Sequence, residues 1–336
     1  MRIEYERKID FSDVLIKPKR STLSSRKEVD IYREFVFPHS NIKYFGVPIL
    51  ASNMDTIGTI EMANSLEKEG CGVVLHKFHD NDVLYDFLKS KYDQGIFYHW
   101  VCTGITNDNF EKIKELNSRI NLKYVCLDVA NGYQETFVKA VQKFRDLLKD
   151  SVIMAGNVVT GDMTEALILA GADVVKVGIG SGKCCTTRKM TGVGYPQLSA
   201  VIECSDAAHG LRGLICSDGG IREPSDLVKA FCAGADFCMI GSSFGGHDEC
   251  GGQIIERDGK KYMQIYGMSS EIAQIKYYGE KPKYRASEGI CLEVEYKGKV
   301  LDTLREYLGG LRSAMTYIGA RKLKEMSKRA TFIVIT

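Results

Sequence analysis

Eight short apolar runs recur along this chain, at 47–54, 71–77, 97–104, 123–130, 151–157, 174–180, 213–220 and 237–243. Each leads into a polar or glycine-rich connection. Val, Ile, Leu and Cys fill the runs without polar alternation, the pattern of strands covered on both faces and therefore of a parallel sheet wrapped in helices. Helical periodicity between them predicts helices over 59–69, 82–93, 108–118, 134–148, 162–170, 196–208 and 224–233. Eight strands alternating with helices make a TIM (β/α)8 barrel. The length of 336 residues suits a single such domain, 1–336.

An internal repeat points the same way. Ala170-Gly171-Ala172-Asp173 runs into VVKVGIG, and Ala233-Gly234-Ala235-Asp236 runs into FCMIGSS, 63 positions later. The helix end, turn, strand and terminal glycine occur twice, as in a barrel assembled from similar modules. Asp162 with Glu165 predicts a capping box, and Pro224 predicts a first helical turn. After the eighth run the regularity breaks. The insertion 245–300 carries a predicted hairpin at Asp258-Gly259 and a second strand pair around Lys297-Gly298, before helices at 302–308 and 311–328. An insertion there emerges on the face where such barrels carry their chemistry, and is expected to act as a lid.

Composition narrows the partners. Forty-five basic and 43 acidic side chains leave a formal charge of +2, which gives no field to recruit nucleic acid or an anionic membrane. Eleven cysteines, an odd number without a Cys-x-x-Cys pair, predict a reduced, cytoplasmic protein with neither a disulfide scaffold nor a zinc site. No signal peptide or membrane span is expected. The histidines show no metal-ligand spacing and are read as structural.

The densest chemistry lies at 178–197, GIGSGKCCTTRKMTGVGYPQ. Lys183, Arg188 and Lys189 surround Cys184 and Cys185 with positive charge, which favours a thiolate. Thr186 or Thr187 can move a proton beside it. The residues leave open which cysteine attacks. Ser217, Asp218, Gly219 and Gly220 end one strand, and Gly241, Ser242 and Ser243 end the next, where barrels hold phosphate. Asp218 would repel phosphate and is expected to face ribose hydroxyls.

The run CTTRKMTGVGYPQ at 185–197, SDGG at 217, YGMSS at 266, RASEG at 285 and the opening FSDVLIKPKRSTLSSRKEVD with GVPILASNMDT resemble the GMP reductases along nearly the whole chain. The related IMP dehydrogenases usually insert a regulatory domain after the second strand, and the short stretch between Lys77 and Phe97 cannot hold one. The resemblance implies reductive deamination of GMP to IMP with NADPH, through a thioimidate on Cys185, with Thr187 and Glu288 handling the proton. It implies that Asp218, Gly219, Gly220, Gly241, Ser242, Met268, Ser269, Ser270, Arg285, Ala286, Ser287 and Gly289 hold the nucleotide. The cofactor falls to Lys77, Asp128, Val129, Ala130, Ile179 and Gly180, and to Ser25, Arg26, Ser313, Ala314, Met315 and Thr316, some of them from a neighbouring subunit of a homotetramer. A potassium ion on Gly180, Gly182 and Cys185 with Arg188 nearby is also implied. No GxGxxG turn supports a Rossmann fold. NAD-dependent IMP oxidation and a non-catalytic nucleotide sensor are the competing readings. Where the family loop reads Gly-Pro-Gly, this chain has Ser181, and Cys184 beside the nucleophile suggests a resolving thiol for reversible oxidation.

Overall fold

The computed structural model describes residues 1–279 and 286–335. Its eight parallel strands are β1 (Ile49–Ala51), β2 (Gly72–Leu75), β3 (Trp100–Thr103), β4 (Tyr124–Asp128), β5 (Val152–Val158), β6 (Val174–Val177), β7 (Leu214–Asp218) and β8 (Phe237–Ile240). They close in sequence order into a TIM barrel, β8 meeting β1 with Cys238 opposite Ile49 and Ile240 opposite Ala51. These are the apolar runs of the sequence, and the helices fall on the stretches whose periodicity predicts them. Pro224 opens its helix, after an N-cap at Glu223 in reciprocal hydrogen bonding with Asp226. Asp162 does not make the predicted capping box. Its helix begins at Gly161 behind Thr160, so the carboxylate sits inside the first turn, where the helix dipole still favours it.

Two apolar layers hold the barrel. The outer one packs the helices on the strands. The inner one fills the barrel's amino-terminal end with Trp100, Tyr124, Val152, Val174 and Phe237, capped by Phe35, Phe37 and Tyr44. These three rings come from a hairpin of Arg33–Val36 and Lys43–Gly46 that the sequence reading missed. Phe35 and Tyr44 lie 5.1 and 5.2 Å from the Phe237 ring, so the hairpin is an aromatic plug.

The repeat explains how the plug is held. Asp173 accepts the Ile153 amide at 2.9 Å, the Arg145 guanidinium at 2.6 Å and the His39 amide of the plug at 3.1 Å. Asp236 accepts the Ile215 amide at 3.1 Å, bonds His209 at 2.8 Å and faces Arg33 of the plug at 3.5 Å. The preceding glycines share one conformation, φ +111 at Gly171 and +109 at Gly234. Each repeated aspartate thus ties two strands and the hairpin to a cation.

The carboxy-terminal part departs from expectation twice. One helix, Val300–Ile318, replaces the two predicted. Gly309 and Gly310 do not break it; a side chain at Gly310 would stand 2.8 Å from the Pro224 ring, so the glycine permits close packing on helix Pro224–Cys232. The Asp258-Gly259 hairpin forms between Ile254–Arg257 and Lys260–Tyr266, but among the described residues no strand pair forms at Lys297-Gly298. Instead Cys291–Glu295 adds antiparallel to the free edge of Lys260–Tyr266, and Gly298 bridges His247. No helix among the described residues is long and apolar enough to cross a membrane.

Removing a buried carboxylate that satisfies a guanidinium and two amides leaves those donors unpaired, so Asp173→Ala should cost about 3 kcal/mol in urea unfolding. The hydrogen bond to Asp236 raises the His209 pKa, against the opposing effect of burial. A raised folded-state pKa means that this pair stabilises fully below the ordinary histidine value and that its contribution fades as pH rises through the folded value. His209→Gln should therefore remove a loss of stability seen in wild type when pH rises above about 6.5.

Candidate active site

A cavity of about 490 Å³ opens at the carboxy-terminal ends of the barrel strands. Its wall combines strand ends (Asp128, Asn157, Gly178, Asp218, Gly241), the cysteine loop and residues 267–269, 274, 278 and 288 of the insertion.

The cysteine loop and the insertion meet through backbone. Cys185 and Gly289 form an antiparallel bridge, with the Thr186 amide donating to the Glu288 carbonyl at 2.9 Å and the Ile290 amide to the Cys184 carbonyl at 3.0 Å. That register aligns three side chains. The Cys185 thiol donates to Thr187 Oγ1 at 3.2 Å, and the Thr187 hydroxyl donates to Glu288 Oε2 at 2.8 Å. Thr187 begins a short helical turn, Thr187–Thr191, within what the sequence presented as plain connection. The two cysteines are now distinct. Cys184 is 5% exposed. Burial pushes its thiol up to about 11. A thiol so held makes a poor partner for oxidation. Both cysteines line the cavity, and Cys185 is the one hydrogen-bonded to Thr187 and the relay.

Charge collects at the strand ends. Lys176 Nζ lies 2.7 Å from Asp128 Oδ1 and 2.7 Å from Asp218 Oδ2. Asn157 Nδ2 donates to the same Asp218 oxygen at 2.9 Å and to the Gly178 carbonyl at 2.7 Å. Burial alone would raise the Asp128 carboxyl, but Lys176 holds it below its ordinary value; burial would likewise lower the Lys176 ammonium, but the two carboxylates hold it well above. Gly178 makes the strand ends converge: a side chain there would collide with the Asp218 carbonyl at 1.9 Å.

A second buried carboxylate ties the insertion down. Asp55, whose side chain is 0% exposed, accepts Tyr266 Oη at 2.6 Å, Tyr277 Oη at 2.7 Å and Lys276 Nζ at 3.0 Å, all from the insertion. Tyr277 also stacks on Phe78, ring centres 3.4 Å apart and planes within 5°.

Most of the residues singled out in the sequence line this one cavity: Cys185, Thr187 and Glu288, Asp218 to Gly220, Gly241 and Ser242, Met268 and Ser269, Lys77, Asp128 to Ala130, Ile179, Gly180 and Gly182. Ser270 caps helix Glu271–Tyr278 and bridges Gly289, and Ser287 Oγ donates to the Gly289 carbonyl; they shape the insertion without lining the cavity. Ala286 is exposed beside them. Arg285 lies outside the described residues. Ser25 and Arg26 sit by a turn packed on helix Val300–Ile318, which carries Ser313, Ala314, Met315 and Thr316, and none of the six lines the cavity. The Arg188 guanidinium is engaged by Asp10 at 3.0 Å and by the Tyr195 carbonyl, so it braces the loop.

No cluster of metal-binding side chains occurs among the described residues, and the histidines have ordinary partners. His99 meets Glu67, His247 bonds Phe244 and Thr303, and His76 stacks on His79. Sequence reasoning missed Lys176, Asn157 and Asp55. A lone lysine inside the apolar run VVKV was the available signal for the first; the partners of Asp55 stand more than 200 positions away and gave none.

The family model described as "IMP dehydrogenase / GMP reductase domain" matches residues 8–336. The protein named GMP reductase from Onchocerca volvulus is 55% identical, over 99% of this chain and 93% of its own. That from Ascaris suum is 54% identical, over 100% of this chain and 95% of its own. The human protein named GMP reductase 2 is 54% identical, over 99% of this chain and 96% of its own.

The three donors on Asp55 predict a lid held by one carboxylate. Asp55→Ala should raise amide hydrogen exchange at 266–279 by about tenfold or more, with little change in the barrel helices.

Proposed function

The chain belongs to the IMP dehydrogenase/GMP reductase family, which makes it an oxidoreductase, and from that premise we propose that it converts GMP to IMP, releasing ammonia, with NADPH as reductant. The observation that carries this reading is the relay Cys185–Thr187–Glu288, assembled across two segments 101 positions apart at the mouth of a nucleotide-sized cavity. An NAD-linked oxidation of IMP has no amine to expel. A thiol joined through a hydroxyl to a carboxylate is the arrangement that a deamination needs.

The hydrogen bonds support a sequence for the proton. As Cys185 Sγ attacks C2 of the purine, its proton passes to Thr187, whose own proton moves to Glu288. The protonated Glu288 then returns a proton through Thr187 to the 2-amino group, which leaves as ammonia. Amines leave poorly unless protonated, so the relay serves both the attack and the departure. NADPH, when bound, would supply the hydride that reduces C2 of the resulting thioimidate. Collapse releases the Cys185 thiolate and IMP. Such a reaction returns guanine nucleotide to the hypoxanthine nucleotide in purine salvage.

Asp218 is assigned to the ribose hydroxyls, and Gly219, Gly220, Gly241 and Ser242 to the phosphate, with Met268 to Ser270 and Arg285 to Gly289 on the base. Lys77, Asp128 to Ala130, Ile179 and Gly180 are assigned to the cofactor. Ser25, Arg26 and Ser313 to Thr316 sit together away from their own cavity, which supports a homotetramer in which they complete a neighbour's cofactor site. Backbone oxygens of Gly180, Gly182 and Cys185 are hard ligands of the kind a potassium ion takes. The Gly182 carbonyl already receives the Cys185 amide at 3.1 Å, so a cation there would stiffen the turn that presents the thiol. Eleven free thiols support a reducing, cytoplasmic setting. The chain is taken to act as one barrel domain, 1–336, with 245–300 as its lid.

GMP-dependent loss of NADPH absorbance, compared with IMP plus NAD, tests the reading directly. Activity with IMP and NAD alone, or GMP binding without turnover, would overturn it. Cys185→Ala should abolish turnover while GMP affinity stays within a few-fold. Thr187→Val and Glu288→Gln should each lower kcat by about 10²–10⁴.

A further inference from the structure

Lys176 belongs to none of the roles above, yet among the described residues it is the one cation within the eight barrel strands, and it lines the cavity beside the carboxylates it joins. It projects from β6 between Val175 and Val177 and is 2% exposed, while the Asp128 and Asp218 side chains that it joins are 24% and 21% exposed. All three side chains line the cavity, the cation being the least exposed of them. Both carboxylates lie 2.7 Å from the same nitrogen, so they cannot be more than twice that distance apart. Two carboxylates that close do not both stay ionised without a cation between them.

We propose that Lys176 is a positioning residue that seats the nucleotide-binding Asp218 and the cofactor-binding Asp128 together, fixing both half-sites to one shared point. The proposal rests on the assignment of Asp218 to the ribose of GMP and deepens it. Lys176 and Asn157 both bond Asp218 Oδ2, which aims the remaining oxygen, Oδ1, at a ligand hydroxyl. Asp128 is held in the same way, by Lys176 and by Asn53. A buried ion triad is no more stabilising than well-packed apolar side chains of equal volume, so stability alone does not require a lysine here. Two ionised acceptors at set positions do.

The groups around Lys176 define what its loss would do. They are Asp128 and Cys126 of β4, Asp218 and Cys216 of β7, Lys77 beyond β2, and the neutral amides of Asn157 and Asn53. Burial pushes the Cys216 thiol well up, and the hydrogen bond with Cys102 together with burial does the same for Cys126, so neither replaces a carboxylate. Without Lys176 the two aspartates share a proton at neutral pH. Asp218 is then a weaker acceptor for ribose, and recovers as pH rises and the proton leaves.

Equilibrium binding of GMP to the purified full chain, without cofactor, tests this. Wild-type protein is measured first: failure to bind GMP would refute the assignment of the site, not the role of Lys176. If wild type binds, Lys176→Met should weaken GMP binding by about a hundredfold at pH 7. The ratio to wild type should shrink between pH 6 and pH 9. Adding Asp128→Asn removes the competing carboxylate and should restore affinity to within about fivefold. A loss that is equal at both pH values and unrelieved by Asp128→Asn would mean a merely structural lysine, and an affinity within threefold of wild type would mean none. Should Lys176→Met not fold, Lys176→Gln with and without Asp128→Asn gives the same comparison, and the same relief is expected.

Discussion

A two-residue backbone bridge, Cys185 against Gly289, is the contact on which the site depends. It is a fragment of antiparallel sheet made between a barrel loop and the insertion after the eighth strand. Its register, not the intrinsic character of any side chain, puts Glu288 on Thr187 and Thr187 on Cys185. A slip of one residue would turn Glu288 to the other face. The insertion that carries Gly289 is in turn held by Asp55 with its three donors and by the stacking of Tyr277 on Phe78. The Cys185–Thr187–Glu288 relay is thereby linked to a carboxylate on a different loop.

The barrel divides its work between its two ends. The amino-terminal end is dry, filled with Trp100, Tyr124 and Phe237 and sealed by the aromatic plug. Asp173 and Asp236 are each neutralised there by a cation and a strand amide, and they reach the plug through the His39 amide and the Arg33 guanidinium. The carboxy-terminal end uses the same strands to carry Asp128, Lys176 and Asp218 into the cavity. Rigidity at one end allows buried charge at the other, because carboxylates and ammonium must keep hydrogen-bond distance to offset their desolvation.

What could be read from sequence follows from this division. The eight strands were legible because parallel strands covered on both sides must be apolar throughout, and the repeat at Asp173 and Asp236 reported a real structural device. The plug was not, since its strands are four residues each and alternate in burial. Gly310 suggested a helix break when it serves close packing on Pro224. The residues alone left Cys184 and Cys185 equivalent; burial separates them. Glu288 was reached only through resemblance, because a carboxylate on a lid acquires meaning from a partner 101 positions away. Lys176 hid in plain view, one charge in an apolar run, because its two partners come from other strands.

The central claim is that Cys185 bonds covalently to the purine with loss of the amine. Incubation of the protein with GMP in the absence of NADPH, followed by rapid acid quench and peptide mass spectrometry, tests it most directly. The account predicts an adduct with the mass of GMP less ammonia on the peptide containing Cys185, discharged when NADPH is added before the quench. An adduct on another residue, or none from an enzyme that oxidises NADPH with GMP, would contradict it.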